Sequence, residues 1–420
     1  MLIKSKNNII EHFAKGIKKN NFIGVENEKF LFSKNFKQRA NYNQVKKILN
    51  YLISKFYWKP VKEKKNLIGL KNLGKSITLE PGNQIELAGD KLKNIHQVCS
   101  EGNTFLKQLR EACEKVGLGT ISLGYDPYTK LNDAPNNPKA RYKIMTKEMP
   151  KNGKLSLNMM YQTAGTQINL DYSSEKDFTK KFKLISHLTP LTIGTFANSP
   201  IKENKLTGYL SYRAKVWQNT SRGGLPRIFL ENMDFEKYAD FTIKQSLLFI
   251  LSKNKIVSGK GKNFGDFMNG KIKGLNSIYP NEKDLETHLS TIFTEVRLKK
   301  YIEVRCLDAC EWDCHCAGPA FYSGLVYGNL EESLDVIKNW KAKDILNAYY
   351  DVPKKGLKTE INNKSLRAWG KIFLKISKKG LIKRNKLNRK KNNETIYLKN
   401  VENIIKINKT KAEQTIEKFK

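Results

Sequence analysis

At 420 residues, 39% hydrophobic and 10% aromatic, the chain has the length for a large core and a globular composition. No apolar run approaches the roughly 20 residues that span a bilayer, and MLIKSKNNIIEHF lacks a secretory h-region, so a cytoplasmic protein with no membrane partner is expected. The formal charge of +37 is spread along the chain and is mostly lysine, with only 11 arginines among 77 basic residues. That reads as solvated lysines rather than a concentrated nucleic-acid patch.

Apolar periodicity predicts a helix over residues 5–18, a strand at about 22–32 and a helix from Gln44 to Phe56. A strand near 76–80 enters LEPGNQIELAG, where Pro81-Gly82 breaks the run before a second short strand. Leu92 to Val116 reads as a long helix closed by Gly117. The strand TISLGYDP and a Pro/Asn-rich loop, LNDAPNNPKARY, follow; such a loop is usually a surface connection. MMYQTAGTQINLDYS reads as a strand, and Ser174 with Asp177 caps a helix through the 180s. The segment ANSPIKENKLTGYLSYRAKVWQNTSRGGLP is long and poorly periodic.

Beyond it come a helix at about 234–250, a short strand near 255, and a helix around 283–292 that leads into FTEVRLKKYIEVRCLD. Helices are then expected at about 317–328, 330–338, 342–350, 363–379 and 410–418. The strands alternate in polarity without regular βαβ spacing, which favours an α+β fold on an antiparallel sheet. We expect a catalytic domain over residues 1–350, with a helical extension over 351–420 packed on the same domain.

Several strands carry acidic or amide residues two apart, which places them on one face. Glu26 and Glu28 lie in GVENEKF, Glu80, Gln84 and Glu86 in LEPGNQIEL, and Gln167, Asn169 and Asp171 in TQINLDYS. FTEVRLKKYIEVRCLD pairs Glu295 with Arg297 and Glu303 with Arg305. Carboxylates gathered so closely repel unless cations sit among them, and oxygen donors suit Mg²⁺ or Mn²⁺. Such ions, with arginine alongside, fit phosphoryl transfer from ATP. Arginine scarcity points the same way, because a retained arginine marks a need for the planar guanidinium. Five of the 11 are Arg213, Arg222, Arg227, Arg297 and Arg305. An arginine in YLSYRAKVWQNTSRGGLP, beside Trp217 and Asn219, would clamp a substrate carboxylate.

Two motifs compete. Gly69 to Ser76, GLKNLGKS, fits the P-loop pattern, but SITLEPG follows where a helix should begin, so a basic turn between strands is the better account. Cysteines at 306, 310, 314 and 316 are spaced C-x3-C-x3-C-x-C, without the C-x2-C knuckles of structural zinc; thiols, redox pairing and zinc all stay open.

Taken together, GVENEKF, SITLEPGNQIELAG, IHQVC, TAGTQINLDYSSE, FANSP, YRAKVWQNTSRGGLP and HLSTIFTEVRLKKYIEVR resemble the plant and proteobacterial type of glutamate–cysteine ligase. The resemblance implies an antiparallel sheet forming a funnel-like site, in a fold related to glutamine synthetase, with helices packed outside. It implies L-glutamate, L-cysteine and ATP as substrates, and a γ-glutamyl phosphate intermediate in the first step of glutathione biosynthesis. It makes Glu26, Glu28, Glu80, Glu86 and Glu303 metal ligands, with Gln167 and Asn169 close by. Arg305 would stabilise the transferred phosphoryl and Arg213 would hold the glutamate carboxylate, with Trp217, Arg222 and Arg297 as further substrate contacts.

Plant members also pair cysteines at positions matching Cys99 and Cys316, which a reducing cytosol would leave as thiols. Their redox-controlled hairpin corresponds to KNKIVSGKGKNFGDFMNGKIKGL, which contains no cysteine. Where they have a Gly-rich turn after YIEVR, this chain has Cys306 and Cys310. A related ligase for another amine and a lysine-rich nucleic-acid-binding protein are the alternatives, and either a monomer or a homodimer is compatible with the sequence.

Overall fold

The computed structural model describes residues 2–252, 255–259, 261–272 and 278–419. Its centre is an antiparallel sheet of nine strands. In chain order these are β1 (Ile23–Ser33), β2 (Lys59–Glu63), β3 (Asn66–Asn72), β4 (Lys75–Leu79), β5 (Ile85–Ala88), β6 (Leu118–Ile121), β7 (Gly165–Leu170), β8 (Val296–Leu298) and β9 (Ile302–Asp308). They lie in the order β8-β9-β7-β1-β5-β4-β3-β2, with β6 continuing against the far half of β1. The P-loop-like stretch is the β3–β4 hairpin, turning at Leu73-Gly74. No helix among the described residues is long and apolar enough to cross a membrane.

Register brings the polar residues onto one face. Glu28 lies opposite Glu86, Glu26 opposite Gln167, and Asn169 opposite Glu303, which in turn faces Arg297. The other face is apolar: Val25, Ile168, Leu170, Ile302 and Val304 are all buried in the main core. A second core forms where the helix Tyr42–Phe56 lays Val45, Ile48, Leu49 and Leu52 against the sheet and the helix Ile95–Val116. Those four side chains are completely buried, each contributing on the order of 1.5–3 kcal/mol. Gly117 closes the long helix at φ 74°, as its position predicts.

Three expectations need correction. MMYQTAGTQINLDYS is not one strand: residues through Gln162 finish the helix Ser156–Gln162, where the Thr163 hydroxyl donates to the Met159 carbonyl, and β7 starts at Gly165. The helix expected at 234–250 stops at Lys244. Gln245 turns to extended backbone, and Phe249–Ser252 pairs with Lys255–Ser258 as a hairpin. Cys99 and Cys316 are a disulfide rather than thiols, with Cα atoms 5.9 Å apart, within bridging reach.

Cys310 pairs with Cys314, and Cys306 is a buried thiol. Cys306 therefore belongs to β9 and not to a turn. Within the segment matching the plant hairpin, residues 253, 254, 260 and 273–275 lie outside the described residues.

One buried ion pair fixes the loop that carries Glu80 and Gln84. Arg39 reaches Asp126 at 2.6 Å, donates to the Gly82 carbonyl, and stacks on Phe30 at 4.6 Å. Asp126 also accepts the Tyr128 and Thr129 amides. Removing one partner leaves a buried charge unmatched, so Arg39→Met should lower stability by about 3–5 kcal/mol. Urea unfolding at pH 7 reads that shift; replacing both partners by apolar residues should recover part of it.

Candidate active site

A cleft of about 190 Å³ opens over the polar face of the sheet. Glu26, Glu28, Glu80 and Glu86 line it, with Gln84 and Gln167 among them, together with Trp217, Arg297 and Arg305. Eight of the expected site residues thus share a single cavity. Strand alternation explains Glu26 and Glu28, and the Pro81-Gly82 turn returns the chain so that Glu80 and Glu86 join them.

Arg305 owes its aim to a β-bulge. The pairing of β9 with β7 shifts register between Val304 and Leu307, and a bulge of this kind redirects the residues inside it. Arg305 donates to the Gln167 amide oxygen and lies 5.2 Å from the Trp217 ring. Arg213 stacks on the same indole at 4.6 Å and donates to the Arg305 carbonyl at 2.8 Å. Its Nε and Nη1 have no protein partner. A side chain on Gly165 would come within 2.7 Å of Arg213 Nη2, so β7 needs glycine where this guanidinium crosses it.

The carboxylates are under electrostatic pressure. Burial raises the Glu28 pKa to about 7, Glu80 adds to the rise, and Arg213 opposes it. Burial pushes Glu86 up as well, followed by the charges of Glu26, Glu80 and Glu28. The Gly165 amide donates to Glu28 at 2.6 Å and the Asn169 amide to Glu26 at 2.8 Å. All-oxygen donors that repel one another fit a hard divalent cation, and the residues present are therefore suited to one. Among the described residues, three potential ligand atoms come within 4.8 Å of one another only at His12, Glu282 and Glu286. There Lys15 and Lys300 already pair with the carboxylates, so that group is an ion-pair cluster.

Other expected residues stand apart from the cleft. Glu303 is fully buried; burial would raise its pKa, but Arg297 and Lys299 overturn this and hold the carboxylate well below the usual range. Lys299 Nζ lies 2.8 Å from Glu303. Glu295 does not share the face of Arg297, because the chain bends there between short strands; it accepts from the Tyr349 hydroxyl at 2.8 Å. Arg222, at φ 63°, buries all three guanidinium nitrogens without a protein partner. Asn169 faces a second cleft of about 350 Å³ that shares Glu26 with the first and is lined by Lys15, Lys18, Lys91 and Lys300. Gly24, Gly74 and Gly89 lie in its wall, giving close access to backbone.

Sequence reasoning missed Arg141 and Tyr142. They end the Pro/Asn-rich loop, open the helix Ala140–Glu148 and line the carboxylate cleft, with Arg141 Nη2 3.0 Å from the Tyr142 hydroxyl. Arginine scarcity could have found Arg141, since it is one of only 11. The apolar lining from Met145, Met159, Met160, Phe249 and Phe293 has no such signal.

Comparison with known proteins settles the family. The sequence model of Glutamate-cysteine ligase family 2 (GCS2) matches residues 22–418. The chain belongs to this family. It is 38% identical to the chloroplastic glutamate–cysteine ligase of Nicotiana tabacum, over 99% of this chain and 80% of that one. For the Arabidopsis thaliana chloroplastic enzyme the identity is 37% over the same shares. Glutamate–cysteine ligase B of Oryza sativa subsp. japonica, also chloroplastic, is 39% identical over 98% of this chain and 83% of its own length.

The crystal structure of the Francisella tularensis glutamate–cysteine ligase in complex with AMP has the same fold, with a TM-score of 0.52 at 14% identity, covering 96% of this chain and 85% of that one. The expected cytoplasmic location is overturned by the plant relatives, which are chloroplastic. The lack of a secretory h-region says nothing about a plastid.

The raised carboxyls carry a pH signature. Glu28 binds more protons folded than unfolded between its ordinary value of 4.5 and about 7, so metal-free stability should fall as pH rises through that window, by on the order of 1–3 kcal/mol. Glu303 acts oppositely and only below about 4.5, where its contribution is lost as pH falls. Denaturant titrations at pH 4.5–7.5 should show the fall without divalent cation, and millimolar Mg²⁺ should flatten it while releasing protons in unbuffered solution.

Proposed function

We propose that this chain joins the γ-carboxylate of L-glutamate to the amine of L-cysteine at the expense of ATP, the first step of glutathione biosynthesis. The observation that carries this reading is the cleft itself: four carboxylates facing Arg305 and Trp217, with two unpartnered Arg213 nitrogens close by. Family membership and relatives at 37–39% identity supply the substrates. The sheet would form the wall of a funnel, in a fold related to glutamine synthetase, and residues 351–420 would extend the same catalytic body.

The two clefts divide the substrates by chemistry. We assign the nucleotide to the glycine-walled cleft beside Glu26, whose lining mixes four lysines with Asp90 and Asp171, and the amino acids to the arginine and apolar cleft. In the first step the glutamate γ-carboxylate oxygen attacks the γ-phosphorus of ATP and ADP leaves. In the second the cysteine amine attacks the acyl carbon, phosphate departs and the nitrogen loses a proton. Glu26, Glu28, Glu80 and Glu86, with Glu303 as a further donor, would hold Mg²⁺ or Mn²⁺, which would supply charge neutralisation at the phosphate oxygens.

Arg305, whose pKa burial lowers to about 10, stays charged at neutral pH and meets the moving phosphoryl. Arg213 holds the glutamate α-carboxylate through the nitrogens the protein leaves free. Arg222, expected as a further substrate contact, is buried without a protein partner and lies outside the cleft lining. Arg297 anchors the rim by donating to the Ser290 and Ile292 carbonyls at 2.9 Å each.

Phosphate release from ATP should require glutamate and cysteine together; equal rates with an unrelated amine would refute the cysteine assignment. Arg305→Lys keeps the charge but loses the planar fork, and should lower kcat about a hundredfold or more with the unfolding midpoint unchanged. Near-normal turnover would remove Arg305 from the phosphoryl site.

A further inference from the structure

Asp308 ends β9, three residues beyond Arg305, and is only 2% exposed. Among the described residues no lysine or arginine side chain bonds it. Its Oδ2 instead accepts the Asn198 amide at 2.8 Å and the Ser199 hydroxyl at 2.7 Å, and its Oδ1 accepts the Ser211 hydroxyl at 2.9 Å. A buried carboxylate satisfied by neutral donors costs more than a neutral acceptor in the same place. Packing alone therefore does not explain why the position is charged.

Two of the three donors, Ser199 and Ser211, lead to the helix that carries Arg213. Ser211 is the N-cap of the short helix Tyr212–Trp217 and accepts the Ala214 amide at 3.1 Å. Ser199, through its hydroxyl oxygen, accepts the Arg213 amide at 3.1 Å. The Asn198 side chain donates to the Ser122 and Ala309 carbonyls at 2.9 Å each, tying this point to the ends of neighbouring segments. Space has been cleared for the carboxylate as well: a Cβ on Gly124 would lie 2.5 Å from Asp308 Cγ.

The Arg213 guanidinium also lies within electrostatic reach of Asp308, opposing the rise that burial imposes on the carboxyl. Glu28 and Glu295 also feel Arg213, but the Gly165 amide engages Glu28 and the Tyr349 hydroxyl engages Glu295.

We infer that Asp308 is a positioning residue for the glutamate site: it fastens the first turn of the helix carrying Arg213 and Trp217 to the strand carrying Arg305, and its charge orients the Arg213 guanidinium toward the substrate carboxylate. The inference rests on the reading that Arg213 receives glutamate. Asp308 touches no reacting atom, so it acts on glutamate affinity before it acts on turnover. Nucleotide and amine are held elsewhere, and their affinities are independent of it.

Asp308→Asn keeps the shape and most of the hydrogen bonds and removes the charge. It should raise KM for glutamate about tenfold or more, as loss of a charge-assisted orientation does. KM for ATP and for cysteine should stay within about twofold. Combined with Arg213→Lys, the effects on glutamate KM should be strongly less than additive. Equal changes in all three KM values together with a lowered unfolding midpoint, or additivity with Arg213→Lys, would reduce Asp308 to a structural residue and overturn the inference.

Should Asp308→Asn fail to fold, Ser199→Ala cuts only the hydroxyl between Asp308 and the Arg213 amide and should show the same selectivity for glutamate. Arg213→Lys alone separates the two layers. If glutamate KM ignores Arg213, the reading beneath falls and this inference with it; if it responds to Arg213 but not to Asp308, only the inference falls.

Discussion

Mutual repulsion among the carboxylates on one sheet face is the constraint on which the rest of this structure depends. Two carboxylates about 5 Å apart at an effective dielectric of about 20 repel by roughly 3 kcal/mol. Several such pairs would rival the 5–15 kcal/mol that holds a typical domain together. The face therefore cannot exist fully ionised and unaccompanied. Glu28 and Glu86 respond by taking up protons more readily, and Glu303 by pairing with Arg297 and Lys299. Repulsion built into a fold at this cost is a binding site for positive charge.

Each arginine near the face answers part of the problem with its geometry. Arg297 is spent on structure: its Nε meets Glu303 and its Nη1 spans two carbonyls of the preceding loop. Arg305 and Arg213 would repel each other if they met directly. Both guanidinium groups lie near the Trp217 ring, at 4.6 and 5.2 Å, and cation–π attraction to one indole offsets part of the repulsion between two like charges. The indole is thus the element that makes a doubly cationic wall stable opposite an anionic floor.

The sheet face was legible in the sequence because strand alternation is a strict rule: Glu26 and Glu28 had to share a side, and the pattern of Gln167 and Asn169 repeated it. The hairpin beneath the P-loop-like motif was legible for the same reason. Features that depend on tertiary context were not. The bulge that aims Arg305 leaves no local mark, since Cys306 looks like any strand residue. Met159, Met160 and Tyr161 are equally at home in a strand, and their burial against Val216 and Trp217 of the Tyr212–Trp217 helix decides for the helix. Arg141 was hidden by the rule that Pro/Asn-rich loops lie on surfaces, though its rarity as a residue type marked it.

Lysine and arginine have separate uses in this chain, and the division explains how so basic a protein keeps a specific acidic site. Most lysines are exposed, where screening limits their field to about a Debye length. Buried lysines are exceptions with assigned acceptors: Lys29 donates to Ser122 and to the Cys310 carbonyl, and Lys139 to the Leu79 carbonyl, each with its pKa lowered to about 8 by burial. Both are spent on backbone or hydroxyl acceptors, and Lys139 also feels the charges of Glu80 and Glu86. The face consequently stays underneutralised inside a molecule of net charge +37. The surrounding positive field favours the approach of anions, while the acidic residues of the cleft are suited to a cation.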